Sequence, residues 1–240
     1  MMSATLLSVS NLNKSFGAVT IADDISFDIY EGEVVGIIGP NGAGKTTLFG
    51  MLAGTVGADS GTIKFGGSNI SSTPTYVRAQ MGMGRTYQIP RPFTHMTVAD
   101  NMRVASMFAG GLEPAECGDW VKQVLEFTGL TSQKDMLAGK LSLLGRKRHE
   151  LARALATRPS LLLVDEVAAG LTDAEVDEFI ALIRKVRDSG ITVVWIEHVM
   201  KTMLSATDRL LAIAGGKIIA SGKPQDVIET KEVRRVYLGA

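Results

Sequence analysis

The sequence predicts an α/β fold with a largely parallel sheet, and three observations carry that prediction. Residues 34–38, 161–164 and 191–196 are short, almost wholly apolar runs, the form taken by strands buried on both faces. Between the second and third, Val176, Phe179, Ile180, Ile183 and Val186 recur at helical spacing. After the first, a glycine-rich turn opens into residues 46–52, which read as a helix closed near Gly54. Strands that alternate with helices in this way build a parallel sheet.

The remaining elements follow in order. Leu7 and Val9 alternate with Ser8 and Ser10, and Ile25, Phe27 and Ile29 alternate with Ser26, Asp28 and Tyr30. Both patterns read as half-buried strands. Between them lies Lys14-Ser15-Phe16-Gly17. By position alone Phe16 could join the core or offer a flat surface to a nucleotide base, and burial is the ordinary fate of an aromatic ring. Residues 62–65 read as a short strand and 71–74 as a loop. Pro90-Arg91-Pro92 cannot continue a regular helix or a central strand. From His95 to Ala156 the spacing of Val98, Met102, Val121, Val124, Leu125 and Leu130 is helical. This stretch reads as a helical insertion broken around Gly110-Gly111 and Gly129. Leu151, Ala154 and Leu155 place a short helix after Gly145, stopped by Pro159. Thr172-Asp173-Ala174-Glu175 has the form of a capping box, and Ser189-Gly190 closes the helix that follows. Residues 210–214 and 217–220 flank Gly215-Gly216 as a hairpin.

The composition narrows the functional classes. At 240 residues, 45% hydrophobic and 21% charged, the chain can bury a sizeable core. Lys plus Arg and Asp plus Glu number 25 each, which argues against a dedicated nucleic-acid binder. Cys117 is the single cysteine, so a reducing compartment fits. Residues 1–9 lack the features of a signal peptide. No apolar run approaches the ~20 residues of a membrane span, so work at a membrane would go through a partner.

Gly39-Pro40-Asn41-Gly42-Ala43-Gly44-Lys45-Thr46-Thr47 matches G-x-x-x-x-G-K-[ST] at every fixed position, between a strand and a helix as the motif requires. Its glycines let backbone N–H groups curl around an anion, and the helix N-terminus adds its positive end. Lys45 is placed to reach the β- and γ-phosphates of a nucleotide, and the Thr46 hydroxyl to bind Mg²⁺. Asp165 ends an apolar strand, the position from which a phosphate-loop NTPase holds Mg²⁺. Glu166, beside it, could polarise an attacking water.

With these motifs in this order, the chain resembles the ATP-binding cassette ATPases, the nucleotide-binding subunits of ABC transporters, over nearly its whole length. The resemblance implies a RecA-like core, an antiparallel β part and an inserted helical subdomain. It divides the single domain 1–240 into a core with its β part (1–88 and 159–240) and a helical subdomain (89–158). Residues 39–46 match the Walker A loop, 161–165 Walker B, and Glu166 the catalytic glutamate. Gln88 matches the glutamine that senses Mg²⁺ and contacts the membrane partner. His198 matches the switch histidine that touches the γ-phosphate. Alone, the first would read as a solvated loop residue and the second as a satisfied histidine. Phe16 matches the aromatic that stacks on adenine, which reverses the reading by position.

Leu141-Ser142-Leu143-Leu144-Gly145 occupies the place of the family signature Leu-Ser-Gly-Gly-Gln, which acts on ATP held by the partner subunit. Leu143 and Leu144 replace its glycines, and Gly145 is expected to keep one flexible point at the start of the helix behind. Val167 stands where many relatives have Pro, and Ala169-Gly170-Leu171-Thr172 where the D-loop reads Ser-Ala-Leu-Asp. Gly84-Arg85-Thr86-Tyr87-Gln88, residues 93–101, Ala168-Ala169-Gly170-Leu171 and Val236-Tyr237-Leu238-Gly239 look like importers of branched-chain amino acids and related compounds. The implied partners are permease subunits, a second ATPase subunit and, indirectly, a substrate-binding protein, with no nucleic acid. The implied location is the cytoplasmic face of the inner membrane. Importers of urea or short amides, exporters, ribosome- or DNA-linked cassettes and a non-hydrolysing regulatory cassette are the rival readings.

Overall fold

The computed structural model describes residues 4–238. Two long strands, β1 (Thr5–Phe16) and β2 (Val19–Tyr30), pair antiparallel through a tight turn. They are followed by β3 (Val34–Ile38), α1 (Lys45–Ala53), β4 (Ser60–Phe65) and β5 (Ser68–Asn69). Strands β2-β1-β4-β5, in that spatial order, form a four-stranded antiparallel sheet. The chain continues through α2 (Thr75–Gln80) and β6 (Met83–Arg85) into three longer helices, α3 (Val98–Phe108), α4 (Cys117–Thr128) and α5 (Leu143–Ala156). It returns through β7 (Leu161–Asp165), α6 (Asp173–Asp188), β8 (Thr192–Ile196), α7 (Met200–Ala206), β9 (Arg209–Ala214) and β10 (Lys217–Gly222), and ends on α8 (Pro224–Glu229) and α9 (Lys231–Leu238). A second sheet runs β10-β9-β3-β8-β7-β6. Within it β6, β7, β8, β3 and β9 are parallel and only β10 is antiparallel.

The apolar runs are explained by two cores on opposite faces of this larger sheet. Val34 and Ile38 of β3, Leu162 and Val164 of β7, and Val193 and Trp195 of β8 face one core, shared with α3, α4, α5 and α6. Val35 and Ile37, Leu161 and Leu163, and Val194 and Ile196 face the other, between the two sheets. Successive side chains on a strand point to opposite faces, so burial of both faces leaves polar residues only at strand ends, Thr192 and Asp165. Helix α1 lies in the second core through Leu48, Phe49, Met51 and Leu52. It ends at Gly54, left-handed at φ 80°. The capping box at Thr172 forms as expected, with both reciprocal bonds to Glu175. Gly215 and Gly216 both take positive φ, 55° and 76°, as a two-residue turn between right-twisted strands requires.

Two readings by position change, and one strand has no reading. Phe16 is 53% exposed at the end of β1, so it is not a core residue. Helix α5 begins at Leu143, two residues before the glycine expected to precede it. Gly145 therefore sits inside the first turn and is no flexible joint: its N–H donates to the Oγ of Ser142, the N-cap, at 3.2 Å. The three-residue strand β6 carries no legible period, and its pairing with β7, Met83 beside Leu161, defines it. Of the closing tetrapeptide, Gly239 lies outside the described residues.

Candidate functional site

The phosphate loop joins the C-terminal end of β3 to α1, and glycine is required where it enters the helix. Gly44, the residue before the helix, sits at φ 94°. A Cβ there would come within 2.6 Å of the Ile21 carbonyl oxygen, so both the dihedral and the space demand glycine. A cleft of 240 Å³ opens at this loop. It is lined by Ile21, Asn41, Gly42, Ala43, Gly44, Lys45, Thr46, Thr47, Glu166 and His198. Lys45 is buried, and its ammonium donates to the carbonyl oxygens of Gly39 at 2.8 Å and Pro40 at 3.0 Å. Burial pushes this ammonium below its ordinary range, while Glu166 and Asp165 pull it back up. A buried cation at a helix N-terminus, facing two carboxylates, is arranged for a polyanion with a bound divalent ion.

Asp165 is 2% exposed. One carboxylate oxygen lies 3.4 Å from the Arg85 guanidinium, and the other is buried with no hydrogen-bond partner. Burial raises its pKa, partly offset by Arg85. An orphaned, desolvated carboxylate oxygen beside a phosphate loop is the donor that a divalent ion satisfies, so the residues present fit Mg²⁺. Glu166 takes φ 42°, the left-handed region that a non-glycine residue occupies at a cost of about 1 kcal/mol. Its Oε1 lies 2.6 Å from His198 Nε2, and its Oε2 accepts a hydrogen bond from Gln88 Nε2. Gln88 itself is an exposed residue beyond β6.

The structure therefore brings Lys45, Thr46, Glu166 and His198 to one cleft and places Gln88 against the Glu166 carboxylate, while Asp165, outside the lining, pairs with Arg85. It leaves Phe16, Ser142, Leu143, Leu144 and Gly145 out of the lining. Ser142 and Leu143 are exposed at the start of α5, and a Cβ on Gly170 would meet Leu143 Cδ2 at 3.1 Å.

No motif in the sequence assigns a role to Arg85, Thr86, Lys147 or Glu197. Thr86 Oγ1 accepts the Asp165 N–H at 3.1 Å. Lys147 Nζ donates to the carbonyls of Gln88 and Glu166 at 3.0 and 3.3 Å. A signal for Lys147 did exist: it precedes Leu151, Ala154 and Leu155 at helical spacing, which places a charge on the buried stripe of α5.

The ABC transporter family pattern matches residues 22–169. The chain is similar to the high-affinity branched-chain amino acid transport ATP-binding protein BraF of Pseudomonas aeruginosa, with 37% identity covering 99% of each chain. It is also similar to the lipopolysaccharide export system ATP-binding protein LptB of Haemophilus influenzae, with 35% identity covering 98% of each. Among solved structures it superposes on a nucleotide-free ATP-binding cassette from an ABC transporter with a TM-score of 0.88. That match has 30% identity and covers 99% of this chain and 100% of the other. The ADP conformation of such a cassette matches with the same TM-score, identity and coverage.

Proposed function

Because the chain belongs to the ABC transporter family as an ATP-binding subunit, we propose that it powers an importer of branched-chain or other amino acids. The observation that carries the choice of cargo is the full-length likeness to BraF, joined by 35% identity over 253 residues to the branched-chain amino acid transport ATP-binding protein LivG of Escherichia coli. The chain is an ATPase coupled to transport.

In this reading Lys45 and the backbone N–H groups of residues 39–47, Pro40 excepted, hold the phosphates, and Phe16 stacks on adenine. Thr46, Gln88 and Asp165 would hold Mg²⁺, which when bound neutralises charge on the phosphates. Glu166 orients and polarises the attacking water. His198 fixes the Glu166 carboxylate and reaches the γ-phosphate. Ser142 to Gly145 act on ATP held by a second ATPase subunit, so that ATP closes the dimer and hydrolysis reopens it. The division into a core (1–88 and 159–240) and a helical subdomain (89–158) gives the two parts that move.

Among the described residues no helix is long and apolar enough to cross a membrane. A groove of 350 Å³ between α2, β6, α3 and α5 is lined by Met83, Tyr87, Phe93 and Phe108, among others. Phe108 is 73% exposed, and Tyr76 on α2 is 67% exposed. Apolar groups left open beside Gln88 suit a permease docked at the cytoplasmic face of the inner membrane.

A second reading, a motor for lipopolysaccharide export, is favoured by the likeness to LptB. Purification of the intact complex from its native membrane, followed by ATPase assay with amino-acid-loaded binding protein, tests the proposal. Stimulation by the loaded binding protein is expected. Co-elution with an export permease and no such stimulation would give the second reading.

A further inference from the structure

Glu166 holds a left-handed backbone, φ 42°, and a side chain in that region persists only where its surroundings over-determine it. Two buried side chains of opposite charge grip the stretch 166–168 at its two ends. Lys147, 4% exposed on α5, donates to the Glu166 carbonyl at 3.3 Å and to the Gln88 carbonyl at 3.0 Å. Glu197, 2% exposed just beyond β8, accepts the Ala168 N–H at 2.6 Å and the His198 N–H at 3.0 Å. The ammonium binds a carbonyl at one end and the carboxylate binds an amide at the other, each in the polarity that a peptide offers.

We propose that Lys147 and Glu197 are positioning residues that jointly clamp residues 166–168 and thereby hold the Glu166 carboxylate between Gln88 and His198. Neither lines the nucleotide cleft, so they act through the backbone of the residues they hold. A buried charge is costly unless it is compensated, and here backbone peptide groups compensate both. Lys147 also lies five positions after Ser142 on one rigid helix. Rotation of α5 therefore reaches the Gln88 and Glu166 carbonyls directly, which links the signature segment to the hydrolytic carboxylate within one chain.

The proposal rests on the reading of Glu166 as the residue that acts on the attacking water. The full chain carries the test. Lys147→Met keeps the stem length and removes the ammonium. It is expected to lower kcat for ATP about tenfold while KM for MgATP stays within about twofold. In the nucleotide-free chain, hydrogen exchange at the Ala168 amide is expected to quicken about tenfold. Glu197→Gln should move both quantities the same way, and the double variant should lose less than the product of the two single losses.

Wild-type kcat or wild-type Ala168 exchange in Lys147→Met overturns the proposal. So does loss of MgATP binding along with turnover, which would assign Lys147 to folding. Independent losses in the double variant dissolve the joint clamp. Glu166→Gln, assayed alongside, separates the two readings. If it retains turnover, the role of Glu166 falls; if it abolishes turnover while Lys147→Met does not, only the clamp falls.

Discussion

His198 Nε2 lies 2.6 Å from Glu166 Oε1, while Gln88 Nε2 donates to the other oxygen of the same carboxylate. Three segments far apart in sequence thus converge on one side chain at the mouth of the cleft. If this carboxylate orients water, Glu166→Gln should keep ATP affinity while hydrolysis falls by roughly 10²–10⁴-fold. ATP should then trap a stable dimer. Steady-state kinetics with equilibrium nucleotide binding checks this, and unchanged turnover would move the role to His198.

Lys45 spends its ammonium on the carbonyls of Gly39 and Pro40, contacts that a bound phosphate would replace with stronger, charge-assisted ones. Lys45→Ala should abolish MgATP binding or weaken it severely. Titration calorimetry reads the result, and wild-type affinity would remove the phosphate loop from the site.

Leu143 and Leu144 are the first two residues of α5, and Leu143 stands exposed over Gly170. The Ser142 hydroxyl and the helix N-terminus survive this substitution of the signature glycines, so the contact with a partner's ATP should be weakened and not lost. In a heterodimer, the site built from this chain's Lys45 and Glu166 should be the faster one. Transport measured with each single glutamate variant decides it: the variant at Glu166 should cost more than its counterpart in the partner, and equal losses would refute the asymmetry.

Arg78, 3% exposed, donates to the carbonyls of Met51 and Leu52 at the end of α1 and to those of Ile70 and Thr73. These are helix-terminal and loop acceptors outside any sheet, and two of them, Met51 and Ile70, also accept a backbone N–H, from Gly54 at 3.3 Å and from Thr73 at 2.9 Å. Arg78→Met should cost about 3 kcal/mol of stability, read by denaturant unfolding, with little effect on nucleotide affinity in the fraction that remains folded.

His149 is wholly buried with both ring nitrogens unpartnered. Burial, with Arg153 adding to it, pulls its pKa down to about 4 from the ordinary 6.5. The unfolded chain therefore takes up a proton between these values while the folded chain does not. Its contribution to stability is fully present above about pH 6.5 and is lost as pH falls towards 4, about 3 kcal/mol in all. His149→Leu should raise stability at neutral pH by about 1 kcal/mol and flatten this limb in pH-dependent unfolding. An unchanged acid limb would place the loss in other groups.

The sequence by itself determined the parallel sheet, the phosphate loop and the strand-end position of Asp165 and Glu166. These are local in kind: a strand buried on both faces must be apolar throughout, and a loop that wraps an anion must carry glycine where φ is positive. The tertiary structure alone decided what surrounds them. It exposed Phe16, because β1 runs past the edge of its core to the turn. It also brought Lys147 and Glu197, fifty positions apart, to opposite ends of residues 166–168. No period or spacing encodes that meeting. It arises from the packing of α5 against β7 and the pairing of β7 with β8, and only burial of two opposite charges beside the same loop reveals what they hold.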